Sequence, residues 1–400
     1  MAAAEPEPVA LTNRWTAQRA PELHVGTGAL GDVAESVAVA RTRRPLLVTD
    51  SGTRAAGWPD RVAGELIEAG LPVTVWAGVR ANASDLLVHE LSRLITDGGH
   101  DGVIAVGGGS VIDVAKAAAG LAAAGGTLLS YEGVGLLNAV GPPVIAVPTT
   151  PCNGAEISRH SVIATADGRR FSVSGHHLAP QVVIADPRTT LTAPGQVRID
   201  TVIDSLLHAI EAYLCRSASP YTDVWARSAV ESIAVSAVPA LTEGSTTAQA
   251  ELMKGCIAAS CAMANANASV VHALGYPLTS VYSIPHGRAN ALVAPEALRR
   301  LEAAAPERYR GLWPGRTDLA DALAGLLDSL GVARGLRRYG VPKDHLPELA
   351  RRAETYQPVL RNTRILFSQE ELLDVYRATW DARGPVGAGT GPGPAGREAA

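Results

Sequence analysis

DGVIAVGGGSVIDVAKAAAG, residues 101–120, sets an apolar run against three consecutive glycines and then a helical pattern. Val103, Ile104 and Val106 read as a buried strand, Gly107, Gly108 and Gly109 as a tight turn, and the stretch from Ser110 onward as a helix. Glycine lets a backbone approach a ligand closely, and a helix N-terminus presents unpaired N–H groups with partial positive charge, which suits a pyrophosphate. The turn departs from G-x-G-x-x-G and lacks the G-K-[ST] ending of a P-loop, so a purely steric use of the glycines stays open. Asp113 and Lys116, three residues apart on the new helix, read most simply as a surface ion pair worth under ~1 kcal/mol. The other reading has the lysine reaching a ribose or phosphate.

Outward from this turn, residues 45 to about 190 alternate short Val- and Ile-rich runs with helical patterns. PLLVTD, LPVTVWAG, PPVIAVPTT and QVVIADP are the runs, bounded by Gly and Pro, and they predict a parallel sheet covered on both faces. Asp50 closes the first run. An acid there can accept hydrogen bonds from an adenosine ribose and repel a 2′-phosphate, or can simply cap the next turn. Past DPRTTLTAPGQVRID the strand signal stops, and residues 196–382 read as successive helices, which places a boundary near residue 190. Two domains are expected over 22–192 and 193–383, with residues 1–21 and 384–400 as flexible Pro-, Gly- and Ala-rich tails.

One of those helices is anomalous. VIDSLLHAIEAYL, residues 202–214, is apolar enough to be buried, yet Asp204 and His208 stand four apart and project from one face. Further on, His272 and His286 lie in an apolar, small-residue context. A lone histidine there would be a satisfied core residue. One carboxylate and three imidazoles from a single domain instead suit a divalent first-row metal, iron(II) or zinc, at an interdomain cleft.

Composition narrows the field further. The 400 residues carry a formal charge of −4 and few aromatics, which argues against nucleic acid or anionic membrane as a partner. Cys152, Cys215, Cys256 and Cys261 follow no CxxC spacing, and neither a signal peptide nor an 18-residue apolar run occurs, so reduced thiols in a cytoplasmic protein are expected. Only three lysines are present, against a large excess of arginine. Among the arginines, Arg159, Arg169 and Arg170 follow the apolar run at 142–150, and Arg288 follows His286 by two. Guanidinium groups there could bind an anionic substrate end, or be solvated or paired with acids.

These motifs together resemble the iron-containing (group III) alcohol dehydrogenases, a family related to glycerol dehydrogenase and more distantly to dehydroquinate synthase. From about residue 24 to 295, GGGSVIDVAK is similar to the family's GGGSxxDxxK, VPTTPCNGAEIS to its PTTxGTGSE segment, DSLLHAIEAY to its DxxxHxxE helix, and VHALGYPLTSVYSIPHGRANA to its paired-histidine region. The resemblance implies an N-terminal α/β, Rossmann-like dinucleotide-binding domain followed by an all-α metal-binding domain. It also implies NAD or NADP with Fe2+ or Zn2+, a small alcohol or aldehyde as substrate, and a homodimer. By position, Asp204, His208, His272 and His286 fall on the metal ligands, with His272 and His286 thereby catalytic. Asp50, Gly107, Gly108, Gly109, Ser110, Asp113, Lys116, Thr149 and Thr150 fall on cofactor-binding positions, and Asp50 favours NAD.

Departures cluster around the pocket. Tyr276 stands where a second, proton-relaying histidine is usual and is itself a candidate catalytic proton carrier beside a bound water or the ribose hydroxyls. Asn153, Gly154 and Ala155 replace T-G-S, and Val202 replaces a glycine. Arg288 replaces a small or apolar residue, and Ala294-Pro295-Glu296 replaces L-P-H. The expected reaction is hydride exchange between a nicotinamide and a primary alcohol or aldehyde. The substrate is expected to be specialised or anionic, such as phosphonoacetaldehyde or a peptide carboxyl end, with Arg170 and Arg288 as candidate contacts. The alternatives are a dehydroquinate-synthase-like cyclase or lyase, which would need a denser basic cluster and a Glu-His-His site, and a catalytically silent relative.

Overall fold

The structure, a computed structural model, describes residues 15–80 and 83–383. Six parallel strands form the main sheet: β1 (Glu22–Val25), β2 (Pro45–Asp50), β3 (Thr74–Val79), β4 (Gly102–Gly107), β5 (Val144–Pro148) and β8 (Val182–Ala185). Their spatial order is β1-β8-β5-β4-β2-β3. Between β5 and β8 the chain makes a separate antiparallel hairpin, β6 (His160–Ala164) with β7 (Arg170–Ser174). Helices α1 (Val33–Val39), α2 (Ser51–Ala55), α3 (Trp58–Glu68), α4 (Asp85–Asp97) and α5 (Gly109–Ala124) complete this half.

Strand residues alternate between two cores, as a pleated sheet buried on both faces requires. Leu47, Ile104, Val106, Ile145, Val147, Val182 and Ile184 meet Val33 and Val37 of α1 and Val62 and Leu66 of α3. On the opposite face Leu46, Val48, Val103, Ala105, Val144, Ala146 and Val183 meet α4 and α5, and that core continues without a break into the helical half. The chain steps outward from β2 to β3, then returns to lay β4 on the other side of β2. At such a reversal the loops leaving the two strands part, and a crevice opens beyond their C-terminal ends. Asp50, Gly107 and Pro148 end the three strands bordering it, Gly107 in register with Pro148.

Helices follow from residue 195: α6 (Gly195–Leu214), α7 (Pro220–Leu241), α8 (Thr246–Ala266), α9 (Val270–Tyr282) and α10 (His286–Ala304), then five shorter ones ending at Trp380. Among the described residues no single helix is long and apolar enough to cross a membrane. All four cysteines are buried and free.

Residues 15–21 correct the expectation of a flexible tail up to residue 21. Trp15 stacks on Tyr221 of α7 with ring centroids 5.8 Å apart. The Gln18 backbone N–H donates to Asn265 Oδ1 of α8 at 2.5 Å, and its amide donates to the Ile157 carbonyl at 2.9 Å. These residues therefore strap the helical half to the loop after β5. The rest of the two expected tails, 1–14 and 384–400, lies outside the described residues.

Gly107 ends β4 where an added Cβ would overlap the side chain of Val111, one turn into α5. Gly107→Ala is expected to cost about 1–3 kcal/mol through overpacking, seen as a lower melting temperature in scanning calorimetry. An unchanged transition would show that the turn has slack.

Candidate active site

Helix α6 is buried along most of its length and ends at a well-satisfied C-terminus. Arg308 donates to the Tyr213 carbonyl (Nη2, 2.8 Å) and Arg364 to the Leu214 carbonyl (3.0 Å), bringing cations to the negative end of the helix dipole. Within this rigid frame Asp204 and His208 face the N-termini of α9 and α10. Glu211, one turn past His208, accepts the backbone N–H groups of Ser269 (3.1 Å) and Val271 (2.9 Å) and the Ser269 hydroxyl (2.6 Å). One carboxylate of α6 thus caps the first turn of α9 from outside. Its second oxygen accepts Nδ1–H of His272, which turns Nε2 of that ring toward Asp204.

The four polar groups converge. His208 Nε2 and His272 Nε2 are 3.1 Å apart, and Asp204 lies 3.8 Å from each of His208, His272 and His286. Ligand atoms each about 2.0–2.2 Å from one cation are separated by roughly 3–3.5 Å, so small side-chain adjustments bring this set onto one ion. Asp204, His208 and His272 form the tight buried triad, with ligand atoms all within 4.8 Å of one another. His286, with 34% of its side chain exposed, stands at the open side. Asn290, one turn after His286, donates to Asp204 Oδ1 at 2.9 Å and approaches His286 Nε2 at 3.3 Å.

The electrostatics suit a divalent cation. Burial alone would raise the Asp204 carboxyl, but His208, His286, His272 and the Asn290 hydrogen bond hold it at about 2. Burial pushes His208 down to about 4 and lowers His286, where the charges of His272 and Arg170 add to the effect. His272 is the exception: burial lowers it, but the Glu211 charge and hydrogen bond, with Asp204, carry it above its ordinary value. The centre therefore favours an ionised carboxylate at Asp204 and neutral imidazoles at His208 and His286, while Glu211 favours the charged form of His272.

Tyr276 walls the open side. It stacks on His286 (5.7 Å, 10° between planes), meets His272 edge-on at 6.0 Å, and tilts against Tyr356 at 4.8 Å. Burial first, and then the charges of Glu211 and Asp204, push its phenol well above the usual tyrosine range. Its hydroxyl makes no hydrogen bond among the described residues.

At the sheet edge, Gly108 faces Thr150, Gly109 faces Asn153 and Ala155, and Ser110 is exposed on the first turn of α5. Thr149 donates its N–H to the Gly107 carbonyl at 3.0 Å. Asp50 caps α2, accepting the Thr53 N–H and hydroxyl at 2.8 Å each, and the Thr53 hydroxyl lies 3.5 Å from that of Thr149. Ser205, adjacent to Asp204, donates to the Cys152 carbonyl at 2.5 Å and so joins the helix bearing Asp204 and His208 to the loop after β5.

Several charged candidates are engaged by the protein itself. Lys116 is fully buried, so its expected ion pair with Asp113 forms below the surface. Its ammonium donates to the carbonyls of Ala155 (2.8 Å), Ser158 (3.2 Å) and His160, and pairs with Asp113 at 3.0 Å. Asp113 also accepts the Val162 N–H at 3.1 Å, so both side chains hold the loop and hairpin. Arg288 is buried against Asp200 and Tyr339. Arg169 is bound to Glu132 at the surface, and Arg159 lies 3.2 Å from His176.

Glu211, Asn290 and Tyr356 were not singled out from the sequence. Glu211 follows Asp204 by seven and Asn290 follows His286 by four, both same-face spacings on a helix, so the signal was present for these two. Tyr356 has no periodic relation to the centre.

The family model for iron-containing alcohol dehydrogenases matches residues 20–187, and the model for that family's C-terminal domain matches residues 198–380. The chain belongs to the iron-containing alcohol dehydrogenase family. Like others of the family it is an oxidoreductase acting between alcohols and aldehydes. It is 31% identical over 369 residues to a 1,3-propanediol dehydrogenase of Citrobacter freundii, covering 88% of this chain and 95% of the relative. It is 33% identical over 344 residues to a 4-hydroxybutyrate dehydrogenase of Cupriavidus necator, covering 80% and 88%. A solved 1,3-propanediol oxidoreductase superposes with a TM-score of 0.87 at 29% identity, over 92% of this chain and 100% of the other. These findings give the cyclase alternative no support.

Because Glu211 orients His272, Glu211→Gln is expected to weaken metal binding by roughly 10–100-fold, measured by chelator competition on the purified protein. Equal affinity would mean that packing alone sets the His272 ring.

Proposed function

We propose that this iron-containing alcohol dehydrogenase family member is an NAD-linked, metal-dependent reductase of a primary aldehyde, or dehydrogenase of the matching alcohol, whose substrate carries an anionic group. The observation that carries the reading is the convergence of Asp204, His208, His272 and His286 beside a loop bonded to α6. A divalent ion there supplies Lewis acidity toward the substrate oxygen, and a nicotinamide supplies or accepts the hydride.

The chain's own groups divide the remaining tasks. Asp204, braced by Asn290, His272, braced by Glu211, and His208, held by its burial on α6, form the buried part of the centre. His286 borders the side from which substrate enters. Backbone N–H groups at Gly108 and Gly109, with Ser110, cradle a pyrophosphate at the N-terminus of α5. Asp50 keeps lone pairs free beyond the two Thr53 bonds, so it can accept ribose hydroxyls and disfavour a 2′-phosphate, which supports NAD over NADP. Tyr276 shapes the pocket, and its raised phenol makes it a poor base near neutrality. Its protonated hydroxyl can still donate, so proton exchange falls to Tyr276, solvent or ribose hydroxyls.

Support for an anionic substrate comes from Arg170, whose charge is felt at His286, and from the carboxylate-bearing substrate named for the 4-hydroxybutyrate relative. The exposed side chains of Val134, Leu136 and Val140, in the loop beside β7, support a homodimer. The free, buried thiols support a cytoplasmic setting.

With iron(II) restored, the protein is expected to oxidise NADH with an aldehyde, and faster with ω-carboxylate or sulfonate aldehydes than with neutral ones of equal length. No net NADH consumption across the set would sink the reading. His272→Ala should remove bound metal and turnover together. Arg170→Met should raise KM for the anionic substrate roughly 10–100-fold, the size of a lost charge-assisted hydrogen bond, and leave a neutral aldehyde almost unaffected. Equal effects on both would detach Arg170 from the substrate.

A further inference from the structure

His286 is held differently from the other three groups at the centre. Asp204 is braced by Asn290, His272 is turned by Glu211, and His208 is buried within α6. His286 is the most exposed of the four; Asn290 lies 3.3 Å from its Nε2 and Tyr276 stacks on its ring, and its Nδ1, like that of His208, makes no hydrogen bond among the described residues. It is the first residue of α10, directly after Pro285, so its reach toward Asp204 depends on how the end of α10 docks on α6.

Two neighbouring residues set that docking. At Gly287 an added Cβ would overlap the Asp200 carbonyl oxygen, so the two backbones touch there. Arg288 then places Nε and Nη2 at 2.8 and 2.7 Å from Asp200 Oδ1, and Nη1 at 3.2 Å from the Tyr339 hydroxyl. Tyr339 donates in turn to the Ala333 carbonyl at 2.8 Å, and Gln196 donates to Asp200 at 3.1 Å. Asp200 is one turn before Asp204, and Arg288 is two residues after His286. Both side chains of the pair are 10% exposed.

A buried ion pair is weak evidence of net stability, because desolvation offsets most of the attraction, and apolar replacements are often as stable. What such a pair does supply is a fixed register between two helices. We propose that Arg288 and Asp200 are positioning residues for the metal centre: their ion pair sets the approach of His286 to Asp204, and through it the affinity for the ion. The inference rests on the reading that Asp204, His208, His272 and His286 hold one divalent cation. It assigns Arg288 no contact with substrate.

Arg288→Ala would strand a buried carboxylate near Asp204, so the informative change is the double variant Asp200→Leu/Arg288→Met, which removes both charges at similar volume. Apo-proteins are compared by circular dichroism and thermal melting, Zn2+ affinity by chelator competition, and ligand geometry by the visible absorption of the Co2+ form. The expected result is a folded apo-protein that binds Zn2+ at least tenfold more weakly than wild type, with an altered Co2+ spectrum. Wild-type affinity and spectrum in the double variant would overturn the proposal. Should that variant fail to fold, Arg288→Lys, which keeps the charge and loses the fork, decides: Zn2+ binding at least threefold weaker supports the clamp, and unchanged binding overturns it. Failure of the wild type to bind either ion would sink the metal reading and the clamp with it, whereas strong wild-type binding with an indifferent variant sinks the clamp alone.

Discussion

A carboxylate buried in the middle of an apolar helix is tolerable only if donors or cations converge on it. That requirement at Asp204 organises the helical half. Three histidines and Asn290 approach it from α6, α9 and α10, and the chain thins wherever they must come close. An added Cβ at Gly275 would overlap Asn290 Oδ1, and one at Gly287 would overlap the Asp200 carbonyl, so glycine at both positions lets three helices meet at one point. Glu211 extends the same logic, since one buried carboxylate caps α9 and orients His272. The polar interior is a connected network in which each charge is answered.

The α/β half is tied to this centre by bonds that are not part of the chemistry. Lys116 gathers three carbonyls of the segment after β5, Ser205 reaches the Cys152 carbonyl, and Gln18 bridges Asn265 and Ile157. A single apolar core runs from the sheet's inner face into the helices. The glycine turn and the metal-binding face are therefore parts of one packed body.

The elements that could be read in advance were those with a strong local pattern. β2, β4, β5 and β8 announce themselves through Val and Ile runs, because strands covered on both faces must be apolar throughout, and β3, at the partly exposed edge, is marked by its Val- and Trp-containing run. β1 is four residues long, lies at the edge and alternates polar with apolar, so it carries no such mark. The hairpin β6–β7 also lacks such a mark, its strands HSVIA and RFSVS mixing polar with apolar residues around a charged turn. At the site, Asp204 and His208 were visible from helical spacing alone, and the role of Glu211 was not, because its partners lie about sixty positions downstream. Arg288 and Lys116 pair with acids, one of the readings open from the sequence, but their burial was not legible: a charged residue looks solvent-facing until its buried partner is known.

By itself the sequence determined the local pieces, which are the buried strands, the glycine turn ahead of α5, the all-helical second half and the identity of four groups able to bind metal. Periodicity and turn chemistry act within a few residues and are written in the chain. Tertiary structure alone decided which of the charged side chains would be spent on the protein itself. Whether Lys116, Asp113 and Arg288 meet a ligand or a carbonyl and a carboxylate depends on contacts between segments up to eighty-eight residues apart, and no local rule carries that information.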